Sequence, residues 1–199
     1  MKKLNKKGFT LIELLAVIVI LGLLMAIAIP SVTRYITQSR KKTMVDSIQS
    51  FISAATTAVN EMSYGSLSDS TKSYWIPVSN NEDDSCIFLE KGGTDPFGEW
   101  AEAYVVVNYD ANNFSYNYYF TFNDTAGYGM KLTKTDAILT NGNDIVNPIP
   151  DVAKTDAIQK QKVGTATKNV ILQAKKPAGA GTNWTKCNVS SSTEVTPTT

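Results

Sequence analysis

Residues 9 to 30 read FTLIELLAVIVILGLLMAIAIP, an apolar run broken by a single charge, Glu13. At about 1.5 Å per residue, some 20 helical residues cross the roughly 30 Å hydrocarbon core of a bilayer. Three fates are open to such a run: a signal peptide, a membrane anchor, or a helix buried in a protein core. The basic start, with Lys2, Lys3, Lys6 and Lys7, and the small-residue AIA at 26 to 28 resemble a signal peptide with its cleavage site. Glu13 does not suit that fate, because it interrupts the apolar stretch near its start. A charge at bilayer depth costs about 2.5–3.5 kcal/mol on insertion scales. A carboxylate there needs a partner or a task.

Past Pro30 the oil becomes one-sided. Val45, Ile48, Ile52, Ala55, Val59 and Met62 recur at spacings of three and four, with Phe51 alongside, and Arg40, Lys41, Lys42, Asp46, Ser47, Gln49 and Ser50 fill the gaps. That pattern predicts an amphipathic helix with one stripe for burial. Taken as one helix, residues 9 to 62 extend about 80 Å. Pro30 marks the change of character, and a proline inside a helix removes a backbone donor and favours a kink.

Residues 63 to 100 lose periodicity and gain turn formers, ending in TDPFGEW. Asp95, Pro96 and Gly98 stand where a type I turn prefers them, before the first strand. Strands follow at 101 to 110 (AEAYVVVNYD), after an ANN turn at FSYNYYFTF, and after TAGYG at MKLTKTDAI. Phe114, Tyr116, Tyr118, Phe120 and Phe122 share one face by the two-residue period, and the reading is a sheet face packed on a helix. Short connections make a meander. Beyond about residue 140, KTDAIQKQK reads as a short helix and KNVILQAKK as a strand, and SSSTEVTPTT is a low-complexity tail read as disordered. Four N-x-S/T triplets, at Asn113, Asn123, Asn183 and Asn188, are common by chance and carry little.

Composition narrows the chemistry. The 199 residues hold no histidine and a formal charge of +1. That removes the commonest general acid/base and the commonest catalytic zinc ligand. Setting the four leading lysines aside leaves about −3, which gives no basic footprint for nucleic acid. An enzyme would have to rest on a carboxylate pair, a lysine, or a serine without an imidazole base. Asp83 and Asp84 lie in a turn-rich stretch where a solvated acidic patch is the default, and no metal or cofactor site is assigned. Cys86 and Cys187 are far apart, so the reading is either one disulfide in an exported chain or two unrelated thiols.

The stretch KKGFTLIELLAVIVILGLLMAIAIP closely resembles the class III signal of type IV pilins and their pseudopilin relatives. The matching parts are a short basic leader ending in Gly8, then Phe9, then Glu13 as the fifth residue of the processed chain, with Gly22 and Pro30 in the apolar helix. TDPFGEW is similar to the Asp-Pro-aromatic-Gly turn before the sheet in many members. The resemblance implies an α+β fold: a long N-terminal helical spine, apolar then amphipathic, packed on an antiparallel meander of about three or more strands. It divides the chain into a cleaved leader (1–8), a membrane and filament-core helix (9–30), an amphipathic helix of the head (31–62), a loop (63–100), the meander (101–140) and a variable C-terminal region (141–199).

It also implies processing. A prepilin peptidase would cut between Gly8 and Phe9 and N-methylate Phe9; the subunit would wait in the cytoplasmic membrane and then join other pilins, through the assembly machinery, in a helical filament outside the cell. Glu13 would there compensate the new Phe9 amine, of its own chain or a neighbour's, since an unpaired charge in an apolar core is costly. Gly22 and Pro30 bracket a stretch able to unwind on packing. Arg34, Arg40, Lys41 and Lys42 beyond the span nearly balance the leader's lysines, so the charge rule alone leaves orientation open. These cations are read as facing acids such as Glu82, Asp83 and Asp84 of a neighbouring head.

The function implied is a structural subunit of a type IV pilus serving adhesion, aggregation or surface motility, with surface or cell ligands outside. A pseudopilin of a type II secretion or DNA-uptake system stands beside it. From another class stands a secreted or membrane-anchored binding module.

Overall fold

The computed structural model describes residues 9–61, 67–78, 95–98, 100–136, 142–147, 158–172 and 192–197. One helix, α1, runs from Leu11 to Glu61. Among the described residues six strands follow: β1 (Lys72–Pro77), β2 (Trp100–Asp110), β3 (Ser115–Asp124), β4 (Gly129–Lys134), β5 (Lys168–Ile171) and β6 (Thr193–Val195). They form one sheet in the order β4-β3-β2-β1-β5-β6. All neighbours are antiparallel except β1 and β5, which run parallel. The chain falls into two compact units, one ending at Arg40 and one beginning at Lys41.

The second unit is built on the predicted stripe, shifted slightly. Met44, Val45, Ile48, Phe51, Ala55 and Val59 are buried, while Ile52 is only half-buried. They pack on Tyr74 and Ile76 of β1, Val105 and Val107 of β2, and Phe120 and Phe122 of β3. Phe51 anchors the contact, stacked on Phe120 at 6.3 Å between centroids and edge-on to Trp100 at 6.2 Å. Each such fully buried side chain contributes about 1.5–3 kcal/mol.

The aromatic stripe of β3 holds from Tyr116 to Phe122 but not at its first member. Phe114 sits in the turn before β3, 80% exposed and with φ of 50°. Asp110 accepts the amides of Asn112 and Asn113 and the Asn113 side chain, so a longer turn than ANN forms and takes Phe114 out of the strand. Within 63–100, where turn formers suggest a loop, Lys72–Pro77 is a strand.

The opposite sheet face is covered too. Trp75, Tyr104 and Val106 pack under Ile158 and Val163, with Tyr119, Leu132 and Ile171 at the margin. Residues 158–166 cross this face as a strap. Asn169 Nδ2 donates to the carbonyls of Gln159 and Gln161 (2.8 and 2.9 Å), Asn108 Nδ2 to that of Val163 (3.2 Å), and the Leu132 amide to Gln161 Oε1 (2.8 Å). Gln159 Nε2 donates to Tyr104 Oη at 2.7 Å. Of the helix expected at KTDAIQKQK, the described part from Ile158 is this irregular strap, and the strand expected at KNVILQAKK begins at Lys168 as β5.

Part of the expected disordered tail is also ordered. Thr193–Val195 adds to β5 as an edge strand, and Glu194 bonds Lys168 at 2.6 Å and Lys72 at 3.5 Å. Lys72 and Lys168 are direct register partners, so Glu194 neutralises a like-charge pair on adjacent strands. The Asp95 turn docks beside β3: Phe97 stacks on Tyr128 at 3.8 Å, and the Phe97 amide donates to Asp95 Oδ1 at 2.8 Å. A side chain at Gly98 would lie 3.1 Å from Thr125 Oγ1, which favours glycine there. Asn123 is buried, which closes that triplet to modification, whereas Asn113 lies in the exposed turn. Cys86, Cys187, Asn183, Asn188 and Glu82 to Asp84 lie outside the described residues.

Candidate assembly site on the N-terminal helix

Helix α1 starts where its sequence can cap it. Thr10 precedes the first helical residue, and Glu13 is three residues on. The Thr10 amide donates to Glu13 Oε2 at 2.8 Å, and the Glu13 amide donates back to Thr10 Oγ1 at 3.4 Å. This reciprocal pair is a capping box, which satisfies two donors that a helix start otherwise leaves orphaned. The Thr10 hydroxyl gives the same carboxylate oxygen a second bond at 2.7 Å. Thr10 is the member that sequence reasoning missed, although T-L-I-E before an apolar run is the signature of this cap.

Phe9 stands just ahead of the cap, 83% exposed; Gly8 lies outside the described residues. In the uncut chain the Phe9 nitrogen is an amide, so the carboxylate takes Thr10 and not an amine. The Phe9–Glu13 pairing belongs to a cut chain and stands as a proposal.

Every large apolar side chain from Phe9 to Ile36 is exposed. An all-round apolar helix without protein cover needs lipid or other helices around it. Among the described residues it is the one helix long and apolar enough to cross a membrane, with none of its apolar window buried. Gly22 has open space where a side chain would go, so nothing within the chain demands glycine there. The helix passes through Pro30. Thr33 and Thr37 donate their hydroxyls to the carbonyls of Ile29 and Thr33 (2.9 and 3.0 Å), a habit that tends to bend helices.

A family model, the prokaryotic N-terminal methylation motif, matches residues 3–29. The N-terminus carries the leader of the type IV pilin family. None of the curated proteins and none of the solved structures matches the chain. The motif covers the leader from Lys3 onward, Phe9, Glu13 and Gly22, and stops one residue before Pro30. With this leader, α1 on its six-stranded, mostly antiparallel sheet is an α+β type IV pilin-like fold. The motif implies processing by prepilin peptidase, membrane anchoring before assembly, and assembly with other pilins. The leader motif supports a type IV pilin-like protein, of pilus or pseudopilin kind. Among the described residues, no three metal-ligating side chains come together.

Proposed function

We propose that this chain is a structural subunit of an extracellular type IV pilus, serving adhesion, aggregation or surface motility. The observation that carries the reading is the class III leader joined in register to a capped helix whose large apolar side chains from Phe9 to Ile36 are all exposed. Such a surface suits two successive environments, the bilayer before assembly and the packed helices of a filament afterwards. The head then forms the outside. The chain has a substantial C-terminal half, including the strap and β5–β6, which favours a pilus subunit over a minimal pseudopilin.

Processing tests this directly. Filaments sheared from cells should contain a subunit that begins at N-methylated Phe9, read by mass spectrometry. Gly8→Val should leave an uncut precursor in the membrane fraction and no filament. A mature N-terminus at Ile29 would mean an ordinary signal peptide. A correctly cut subunit absent from surface filaments, with a defect in secretion or DNA uptake on deletion, would assign the pseudopilin role.

A further inference from the structure

The apolar surface of α1 ends at a cation with no carboxylate near it in sequence. Counted from Glu13, about 20 helical residues cover the roughly 30 Å core and reach Thr33; the next residue is Arg34. Arg34 is exposed, and Tyr35 beside it is 73% exposed. Arg40, also exposed, follows about 9 Å further along the axis. No Asp or Glu occurs between Glu13 and Asp46. Among the described residues, the ion pairs involve Lys72 and Lys168 and neither arginine. The nearby hydroxyls of Thr33 and Thr37 are spent on helix carbonyls. Positive charge normally stays on the cytoplasmic side of a span, where the leader already has four lysines. Cations on the far side oppose that signal unless they meet a counter-charge there.

We infer that Arg34, with Tyr35 beside it and Arg40 behind, binds the headgroups of anionic phospholipids in the leaflet opposite the leader while the subunit is held in the membrane. This rests on the membrane-anchored reading of the helix. Three features select lipid as the occupant. The depth count puts Arg34 at the edge of the hydrocarbon, within reach of phosphate. The guanidinium is a planar fork that pairs with phosphate oxygens bidentately, and a tyrosine ring suits the same interfacial level. The surface leading up to them, from Leu14 through Val32, is exposed and apolar, so whatever lipid covers it continues directly onto Arg34. Withdrawal of the subunit into a filament must then break headgroup contacts, and leaflet composition sets how readily it leaves.

The test uses the full chain with Lys2, Lys3, Lys6 and Lys7 changed to Gln, which silences the leader's own charge. It is placed in nanodiscs of phosphatidylcholine containing a minority of phosphatidylglycerol, and retained lipids are counted by native mass spectrometry. Phosphatidylglycerol should be enriched about fivefold over the bulk ratio, the worth of one cation at an anionic surface. Adding Arg34→Gln and Arg40→Gln should return the ratio to bulk, and Arg34→Lys should keep only part of the enrichment. No enrichment, or enrichment unchanged by the double arginine change, overturns the inference. Unchanged enrichment together with lost filament assembly in cells would assign the arginines to a protein surface instead. A chain that fails to enter the nanodisc overturns the membrane reading itself, which is distinct from one that enters without selecting lipid.

Discussion

In the uncut chain Glu13 is bonded to Thr10, whose amide and hydroxyl both point at one carboxylate oxygen. Cleavage after Gly8 would add a charged amine one residue ahead of Thr10, at the positive end of the helix dipole, where a carboxylate is favoured. Glu13→Gln keeps an acceptor for Thr10 and loses the charge; Glu13→Val loses both. Both variants should insert and be cut, and both should lower the ratio of sheared filament to cut membrane-held subunit sharply. Normal yield from Gln alone would assign Glu13 to capping, and normal yield from both would make it a passenger. A second carboxylate matters within the head. Asp124 is 6% exposed, and its Oδ2 has no hydrogen bond. Burial first, and the Asp95 charge as a smaller cause, push it above the ordinary 3.8, although the Tyr128 amide pulls the other way. A raised acid destabilises the fold when ionised, so the penalty is absent below about pH 3.8 and grows as pH rises through the folded value. Asp124→Asn keeps an acceptor for Tyr128 and should raise the thermal midpoint at pH 7. The gain should vanish near pH 3 in paired thermal melts; an equal gain at both pH values would show that charge is not the cause.

At the scale of elements, Glu194 fastens β6 to the rest of the sheet. The Lys168 hydrogen bond first, with Lys72 adding, holds its carboxyl below the ordinary 4.5. A lowered acid stabilises fully above its unfolded value and loses that contribution as pH falls through the folded one. Protection factors of the β6 amides, which remove the pH dependence of intrinsic exchange, should therefore fall below about pH 4.5, and Glu194→Gln should show the lower protection already at pH 7. Exchange in the variant that matches the parent at pH 7 would show that backbone pairing alone holds the strand. Residues 190 to 199 read as a tail because Ser, Thr and Pro dominate them; one Glu opposite two lysines of distant strands is a tertiary fact that local composition does not carry. The strap was hidden for the same reason, since Ile158 and Val163 have no period. Its trace lies in the strands beneath: YWI in β1 and YVVV in β2 are unbroken apolar runs, the pattern of strands covered on both faces. The helical spine was legible because its periodicity is local and long. Ile52 came out half-buried because a stripe written at three-four spacing drifts around the helix, and the contact centres on Ile48 and Phe51. Thr10 was legible in the sequence, because T-L-I-E ahead of an apolar run is the spacing of a capping box.

For the whole molecule, the two units place opposite demands on solvent. The unit ending at Arg40 exposes its apolar side chains, whereas the unit from Lys41 has a buried core whose members run from Met44 onward. The head should therefore fold once the apolar half is removed. A fragment beginning at Gln38 keeps Ser39 as a residue able to cap the shortened helix. It should be a soluble monomer by size-exclusion chromatography, with mixed helical and strand circular dichroism and a cooperative thermal transition. In that fragment Ile48→Asp should abolish the transition, because Ile48 is 1% exposed and an unpaired charge cannot be accommodated among Phe51, Val105 and Phe120. Ile52→Asp should cost less and leave a folded head with a lowered midpoint, since that side chain sits at the rim of the contact. A fragment that aggregates or melts without cooperativity would mean that the head's core depends on the apolar half. A fully stable Ile48→Asp fragment would mean that the buried face of α1 has been assigned to the wrong side.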